Sequence, residues 1–405
     1  MMTTKLPRAA SLIAAGLLLA GCEGVFTPPP PAPTWSRVEL DERVTDAYTD
    51  FGFEMFRQLR ADDPNGNVFI SPTSAAFALA MTWNGAVGQT AEEMALALGI
   101  DHLDREVVNE TNRRWLEALR ETGDPEVELA LANSIWYRPD WQVLDDFAAR
   151  TREFYDAEVR EMRSAEEING WVSDNTNGLI EDIVPSPIPG NVVTYLINAL
   201  YFKGDWTHPF DERQTRDAPF HRPDGSTVTV PMMTRTGKYE VLEMDGGAAV
   251  RLPYGADRFS MVLILPDHEV GLAGLAERLA AARWSEWMDG FERRERFQVG
   301  LPRFELEWES SLKATLQAMG MEVPFEAGLA DFSDMFEGGG PWIGEVLQKT
   351  FLRVDEEGTE AAAATSVVMI ESMPPSLVFD RPFFLAIYDH ATETVLFLGQ
   401  ITDPS

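Results

Sequence analysis

Of 405 residues one is cysteine, Cys22, and five are histidine. Without a second thiol no disulfide can cross-link the chain, so its stability has to come from packing. His102, His208, His221, His268 and His390 include no pair at metal-ligand spacing, and "HEVGL" at His268 lacks the second histidine of a zinc-protease helix. Positive charge is equally scarce: 33 Lys and Arg stand against 66 Asp and Glu, a formal net charge of −33. That balance argues against nucleic acid or an anionic membrane surface as a partner, since both are bound through basic patches. No G-x-S-x-G elbow, Walker loop or G-x-G-x-x-G turn occurs. The many carboxylates read as a solvated face, and the sequon Asn109-Glu110-Thr111 reads as chance. No enzyme chemistry, cofactor or metal is implied.

Apolar residues make up 45% of the chain, with 11 Trp and 23 Phe, enough for a large core. Residues 1–21 read as an export signal: Lys5 and Arg8 precede "AASLIAAGLLLAG", a run too short to span a bilayer as a helix. Leu19-Ala20-Gly21-Cys22 resembles the bacterial lipobox, which implies diacylation of Cys22 and a membrane contact through that lipid. Glu23 stands where an aspartate would signal inner-membrane retention, so the expected address is the outer membrane of a bacterial envelope. "VFTPPPPAPTW" makes residues 22–38 a lipidated cysteine and an extended proline tether. Residues 39–405 contain no further linker or repeat and read as one domain.

Within that domain Val44, Tyr48, Phe51, Met55 and Leu59 recur at helical spacing until "DDPNGN". Another helix is predicted in "ISPTSAAFALAMTWNGA", with Ser71 as N-cap and Pro72 in its first turn. Further helices are predicted from the stripe Val107, Thr111, Trp115 and Leu119, and over 144–155, 165–176, 272–288 and 310–319. "VELALANSIWY" and most of the second half read as strands. Helices early and strands late predict an α+β fold with large, mostly antiparallel sheets.

"EEGTEAAAATSVVMI" fits neither an amphipathic helix nor a polar loop. At period two, Thr359, Ala361, Ala363, Thr365, Val367 and Met369 share a face without charge and without bulk until its end, as a strand sliding between two others would need. "DEEGTEAAAATS" resembles the reactive-loop hinge of the serpins. "NVFISPTSAAFALAMTWNGAVGQTAEEM", "INALYFKGDWTHPFD" and "DRPFFLAIYDHATETVLFLGQITDPS" are similar to other parts of that family in the same order. The resemblance implies the serpin fold: three β-sheets, about eight to nine helices and an exposed reactive loop over about 356–376. It implies a monomer that acts as bait for a serine or cysteine protease and traps the acyl-enzyme by inserting the cleaved loop into the main sheet.

The family's residues carry over position by position. Glu356, Gly358, Thr359, Ala361, Ala363 and Thr365 are implied as the hinge. Ser71, Ser74, Asn84, Asn198 and Gln348 are implied as the shutter, where Gln348 replaces the frequent histidine and cannot titrate near neutral pH. Trp206, Arg303 and Glu356 are implied at the breach, the top of the main sheet. Counting from Glu356 places the scissile bond at Ser372-Met373, and counting back from "FDRPF" places it at Glu371-Ser372. No Lys or Arg lies between Gly358 and Pro375. Elastase-like, subtilisin-like, papain-like or glutamate-specific targets are therefore implied over trypsin-like ones. The alternative is a non-inhibitory binding or carrier protein on the same fold.

Overall fold

The computed structural model describes residues 35–358 and 374–405. Cys22 and tether residues 23–34, the hinge positions Thr359, Ala361, Ala363 and Thr365, and the bond candidates Glu371, Ser372 and Met373 lie outside them, while the end of the expected tether lies on the domain, with Trp35 stacked on His390 and the Val38 N–H donating to the Ala391 carbonyl. Helix α1 (Glu42–Asp62) starts at Asp41, whose carboxylate accepts the Arg43 N–H, and buries the predicted face from Val44 to Leu59. At the start of α2 (Pro72–Trp83), Ser71 Oγ accepts the Ser74 N–H, and Pro72 sits where no N–H is needed. All of α2 is buried, so its sequence carries no polar face. Next come α3 (Gly88–Leu98), which the periodicity did not single out, and α4 (Arg105–Arg120), α5 (Asp145–Tyr155) and α6 (Ala165–Asn175), which it did.

The helix expected over 272–288 is two, α7 (Gly271–Ala276) and α8 (Ala281–Asp289). Side chains of α1 take the backbone groups that a continuous helix would satisfy itself: Arg57 donates to the Leu279 carbonyl and Asp50 accepts the Ala281 N–H. The last helix, α9 (Lys313–Ala318), is shorter than 310–319 because Ser310 and Ser311 are still paired in a strand.

The strands in chain order are β1 (Val68–Ile70), β2 (Val127–Tyr137), β3 (Glu158–Glu161), β4 (Thr194–Gly204), β5 (Arg216–His221), β6 (Thr227–Met244) and β7 (Gly247–Tyr254). Then follow β8 (Phe259–Pro266), β9 (Glu292–Pro302), β10 (Phe304–Ser311), β11 (Glu345–Val354), β12 (Ser376–Val378), β13 (Phe383–Asp389) and β14 (Thr394–Ile401). One sheet has the order β1-β14-β13-β8-β7-β6-β9-β12 with β5 beside β6, and the other has the order β10-β11-β4-β2-β3. Two sheets thus stand among the described residues where three were expected. The 18-residue β6 passes a register shift between Gly237 and Tyr239 and pairs with β9 on both sides of it, fusing two sets of strands into one.

The main core lies between the sheets and around α1 and α2. A second, smaller cluster covers the other face of the five-stranded sheet, where Ile168 and Val172 of α6 meet Trp136 of β2 and Tyr195, Ile197 and Ala199 of β4.

Candidate functional site

β4 and β11 are parallel neighbours at the centre of the five-stranded sheet, in register from Glu345 opposite Tyr195 to Phe351 opposite Tyr201. Their ladder stops there, although β11 runs on to Val354 and β4 to Gly204. The flanking strands stay paired to the ends, Val127 with Gly204 and Phe304 with Val354. The sheet is therefore splayed along one seam at its top and closed on both sides of it. A cleft of about 560 Å³ lies on the β10 side of the end of β11, lined by Arg303, Glu305, Arg353, Glu356 and Pro404 among others.

Beyond β11 the chain hooks over the end of β4. The Trp206 N–H donates to the Glu357 carbonyl at 3.0 Å, the Phe210 N–H to the Glu356 carbonyl at 2.7 Å, and Trp206 Nε1–H to the Asp355 carbonyl at 2.9 Å. The indole of Trp206 is fixed in turn by stacking on Tyr254, with ring centroids 4.3 Å apart. Glu356 is buried, accepts from Thr215 Oγ1 at 2.6 Å and faces the Arg303 guanidinium at 3.5 Å. Of the three implied breach residues, Glu356 and Arg303 face each other directly, and Trp206 holds the backbone on either side of Glu356. Burial pushes the neighbouring Asp355 carboxyl above the ordinary aspartate range, against the Glu357 N–H that it accepts and the nearby Arg353 charge.

Gly358 ends the hook with φ +96°. A Cβ there would lie 2.2 Å from the Trp206 nitrogen and 2.6 Å from the Gly204 carbonyl oxygen. Both are backbone atoms that cannot swing aside, so the close approach and the left-handed backbone each require glycine.

Under the seam, on the face toward α2, runs a row of amides. Asn133 of β2, Asn198 of β4 and Gln348 of β11 are register partners on adjacent strands, and all are buried. Gln348 Nε2 donates to Asn198 Oδ1 at 2.5 Å and to the Ser71 carbonyl at 2.9 Å, while its Oε1 accepts the Ser71 N–H. Asn198 Nδ2 donates to Asn133 Oδ1 at 2.6 Å and to Ser74 Oγ. Ser71 Oγ donates to the Leu396 carbonyl, tying the start of α2 to β14. Ser71, Ser74, Asn198 and Gln348 are therefore brought together in one hydrogen-bonded cluster.

Asn84 is not with them. It sits at the far end of α2 in a separate buried network, exchanging hydrogen bonds with Asn109 and donating to Tyr155 Oη. A 12-residue helix puts its ends roughly 18 Å apart, too far for Ser71 and Asn84 to share a cluster. Asn109, the sequon asparagine, is consumed in that network and buried, which removes it as a glycan acceptor. Asn133 belongs to the shutter row and was not anticipated; the available signal was a lone amide in the apolar run of "VELALANSIWY".

Among the described residues, no catalytic groups gather at the seam. A serine–histidine contact exists elsewhere, Ser260 Oγ to His390 Nε2 at 2.8 Å, but Ser260 is fully buried and burial, with Arg251 nearby, drives His390 down to about 3. It is a neutral core contact that a substrate cannot reach.

The pattern described as "Serpin (serine protease inhibitor)" matches residues 46–404. A serpin-like protein of Thermococcus kodakarensis is 36% identical, covering 90% of this chain and 86% of its own. The leukocyte elastase inhibitor of Equus caballus is 34% identical over 90% of this chain and all of its own. Among solved structures, the thermophilic serpin tengpin in its native state superposes with a TM-score of 0.83 at 30% identity, covering 91% of this chain and 96% of its own. Human thyroxine-binding globulin complexed with thyroxine gives 0.82 at 26% identity, covering 89% and 98%. With the family pattern spanning residues 46–404 and these relatives aligned over nine-tenths of the chain, the chain belongs to the serpin family, a family of protease inhibitors that also includes the thyroxine-binding globulin.

Proposed function

We propose that this protein is a covalent, suicide-type inhibitor of serine or cysteine proteases, monomeric and held at a bacterial envelope by a lipid on Cys22, with the outer membrane as its address. The target's nucleophile attacks the carbonyl of the bait bond, Glu371-Ser372 or Ser372-Met373. The new amino terminus leaves and an acyl-enzyme remains. Strand insertion then outruns hydrolysis and carries the protease away from its working geometry. The absence of basic residues from the bait, and kinship with proteins named as leukocyte elastase inhibitors, favour elastase-like, subtilisin-like, papain-like or glutamate-specific targets.

One observation carries this reading: β4 and β11 meet in a parallel ladder that is unpaired at its top, directly beside the hook that leads into residues 359–370. A segment that reverses at the hook and enters the seam runs antiparallel to both strands. One parallel interface is exchanged for two antiparallel ones, the somewhat stronger pairing. Each residue so paired contributes a net of about 0.5–1.5 kcal/mol, so a dozen supply a driving force comparable to the stability of a whole domain.

Similarity to thyroxine-binding globulin supports a second reading, a carrier on the same fold. The test is to incubate the protein with a panel of the four protease classes, run denaturing gels and weigh the released C-terminal peptide. A complex that survives denaturation supports inhibition, and the peptide mass identifies the bond. Cleavage by every protease without a complex supports the carrier.

A further inference from the structure

The chain joins the folded part at the same end of the molecule from which the reactive loop departs. Trp35 lies on the turn between β13 and β14: its indole stacks on His390 with ring centroids 6.4 Å apart, and its Nε1–H donates at 3.3 Å to the carbonyl of Ala256, between β7 and β8. His390 is a firm platform, held by Ser260 Oγ at 2.8 Å and by the edge-on ring of Tyr388. Two further contacts pin the segment: Arg37 pairs with Glu393, and the Val38 N–H donates to the Ala391 carbonyl at 2.7 Å. Two hydrogen bonds then lead from this dock to the hook. Ala256 follows Gly255, whose N–H donates to the Asp205 carbonyl at 2.8 Å, and Asp205 precedes Trp206, whose N–H donates to the Glu357 carbonyl. The dock is therefore at the Gly204 end of β4, and the Thr194 end of that strand lies about 33 Å away.

From Cys22 to Trp35 the chain reaches about 40 Å in the extended form expected of its prolines. To put the Thr194 end of the domain nearest the lipid, that chain would have to double back and use nearly all of its length, against the stiffness of five prolines within residues 28–33. We infer that the docked segment turns the loop-bearing end of the domain toward the lipid that holds Cys22, so that the protein is built to meet a protease seated at the same membrane surface rather than one free in the bulk. A globular protease of about 250 residues is roughly 45 Å across, as wide as the tether is long. A soluble one has to squeeze between domain and lipid to reach the loop. The inference rests on the lipid anchor proposed above.

Cys22 is the sole cysteine and its sulfur is taken by the lipid, so one introduced cysteine can be labelled alone. The full lipidated chain is placed on phosphatidylcholine vesicles that contain a headgroup-labelled acceptor lipid. Energy transfer is read from a donor at Glu212→Cys, in the cleft beside the hook, or at Asn191→Cys, just ahead of the Thr194 end of β4; both positions are exposed. Transfer stronger by about twofold or more from position 212 is expected, given the roughly 33 Å between the two ends. Trp35→Ala/Arg37→Ala removes the side-chain contacts of the dock and should bring the two positions within about 1.3-fold of each other. A loss of packing alone would lower the unfolding midpoint of this variant without changing that ratio. Subtilisin added outside the vesicles should consume the loop of the undocked variant about threefold faster than that of the parent, with equal rates once detergent disperses the lipid. Equal transfer from the two positions of the parent, or stronger transfer from position 191, would overturn the inference and leave the anchor standing. Equal consumption of parent and variant on vesicles would overturn its claim about the partner. A chain that fails to float with the vesicles would overturn the anchor and the inference together.

Discussion

Gln348 fastens the seam with an amide that gives and takes at once: its NH₂ serves Asn198 and the Ser71 carbonyl while its oxygen takes the Ser71 N–H. Such a group keeps its partners at any ordinary pH, unlike a histidine. Ser71, Ser74 and Asn198 were legible because each lies inside a longer recognisable stretch, whereas Gln348 stands outside any such stretch. Asn133 was not, because nothing in an alternating strand says which neighbouring strand its inward amide will face. Asn84, carried over in the same stretch as Ser71, lies at the other end of the 12-residue helix in its own network with Asn109. Gly358 offers the sharpest residue-scale test. In Gly358→Ala a methyl would meet the backbone of Gly204 and Trp206, and the left-handed φ adds its own strain. Displacing the hook also forfeits the Trp206–Glu357 bond, so a loss of roughly 2–3 kcal/mol in urea unfolding is expected. Unchanged stability would mean that the hook does not lie against β4.

At the scale of elements, periodicity located α1, α2, α4, α5 and α6 because each presents a stripe or a cap that local chemistry dictates. It failed at 272–288, where side chains of α1, more than 200 positions away, decide the break between α7 and α8. A comparable long-range joint links α4 to the strands. Arg258, just ahead of β8, makes a two-pronged pair with Asp389 at the end of β13 and donates to the carbonyls of Ala118, Glu121 and Thr122 where α4 ends. Both side chains are at most 4% exposed, and a cation at a helix C-terminus suits its dipole. Asp389→Ala would strand a buried guanidinium, with an expected loss of about 3–5 kcal/mol in urea unfolding. A loss below about 1 kcal/mol would show that the carbonyls alone satisfy Arg258. No pattern in the sequence announces this pair, since its members are 131 residues apart and each looks like one more surface charge.

For the whole molecule, the sequence conveyed the α+β class and the family resemblance, while the number of sheets depended on whether β6 is continuous, a matter of hydrogen bonding that side-chain pattern does not record. The fold holds a central parallel seam, fastened by the amide row and open at the top, next to a chain segment whose composition suits it for entry. The proposed insertion mechanism requires a lower free-energy state that the molecule reaches once the loop is cut. The decisive experiment is to cleave the reactive loop with a protease that is not trapped, confirm by mass that the cut lies between Gly358 and Pro374, and compare thermal unfolding of cut and intact protein. Insertion of about a dozen residues predicts a midpoint higher by roughly 10–30 °C in the cut form, which keeps both fragments together. A cut protein that unfolds at or below the intact midpoint would contradict the insertion mechanism, because the loop would then have gained nothing from the seam.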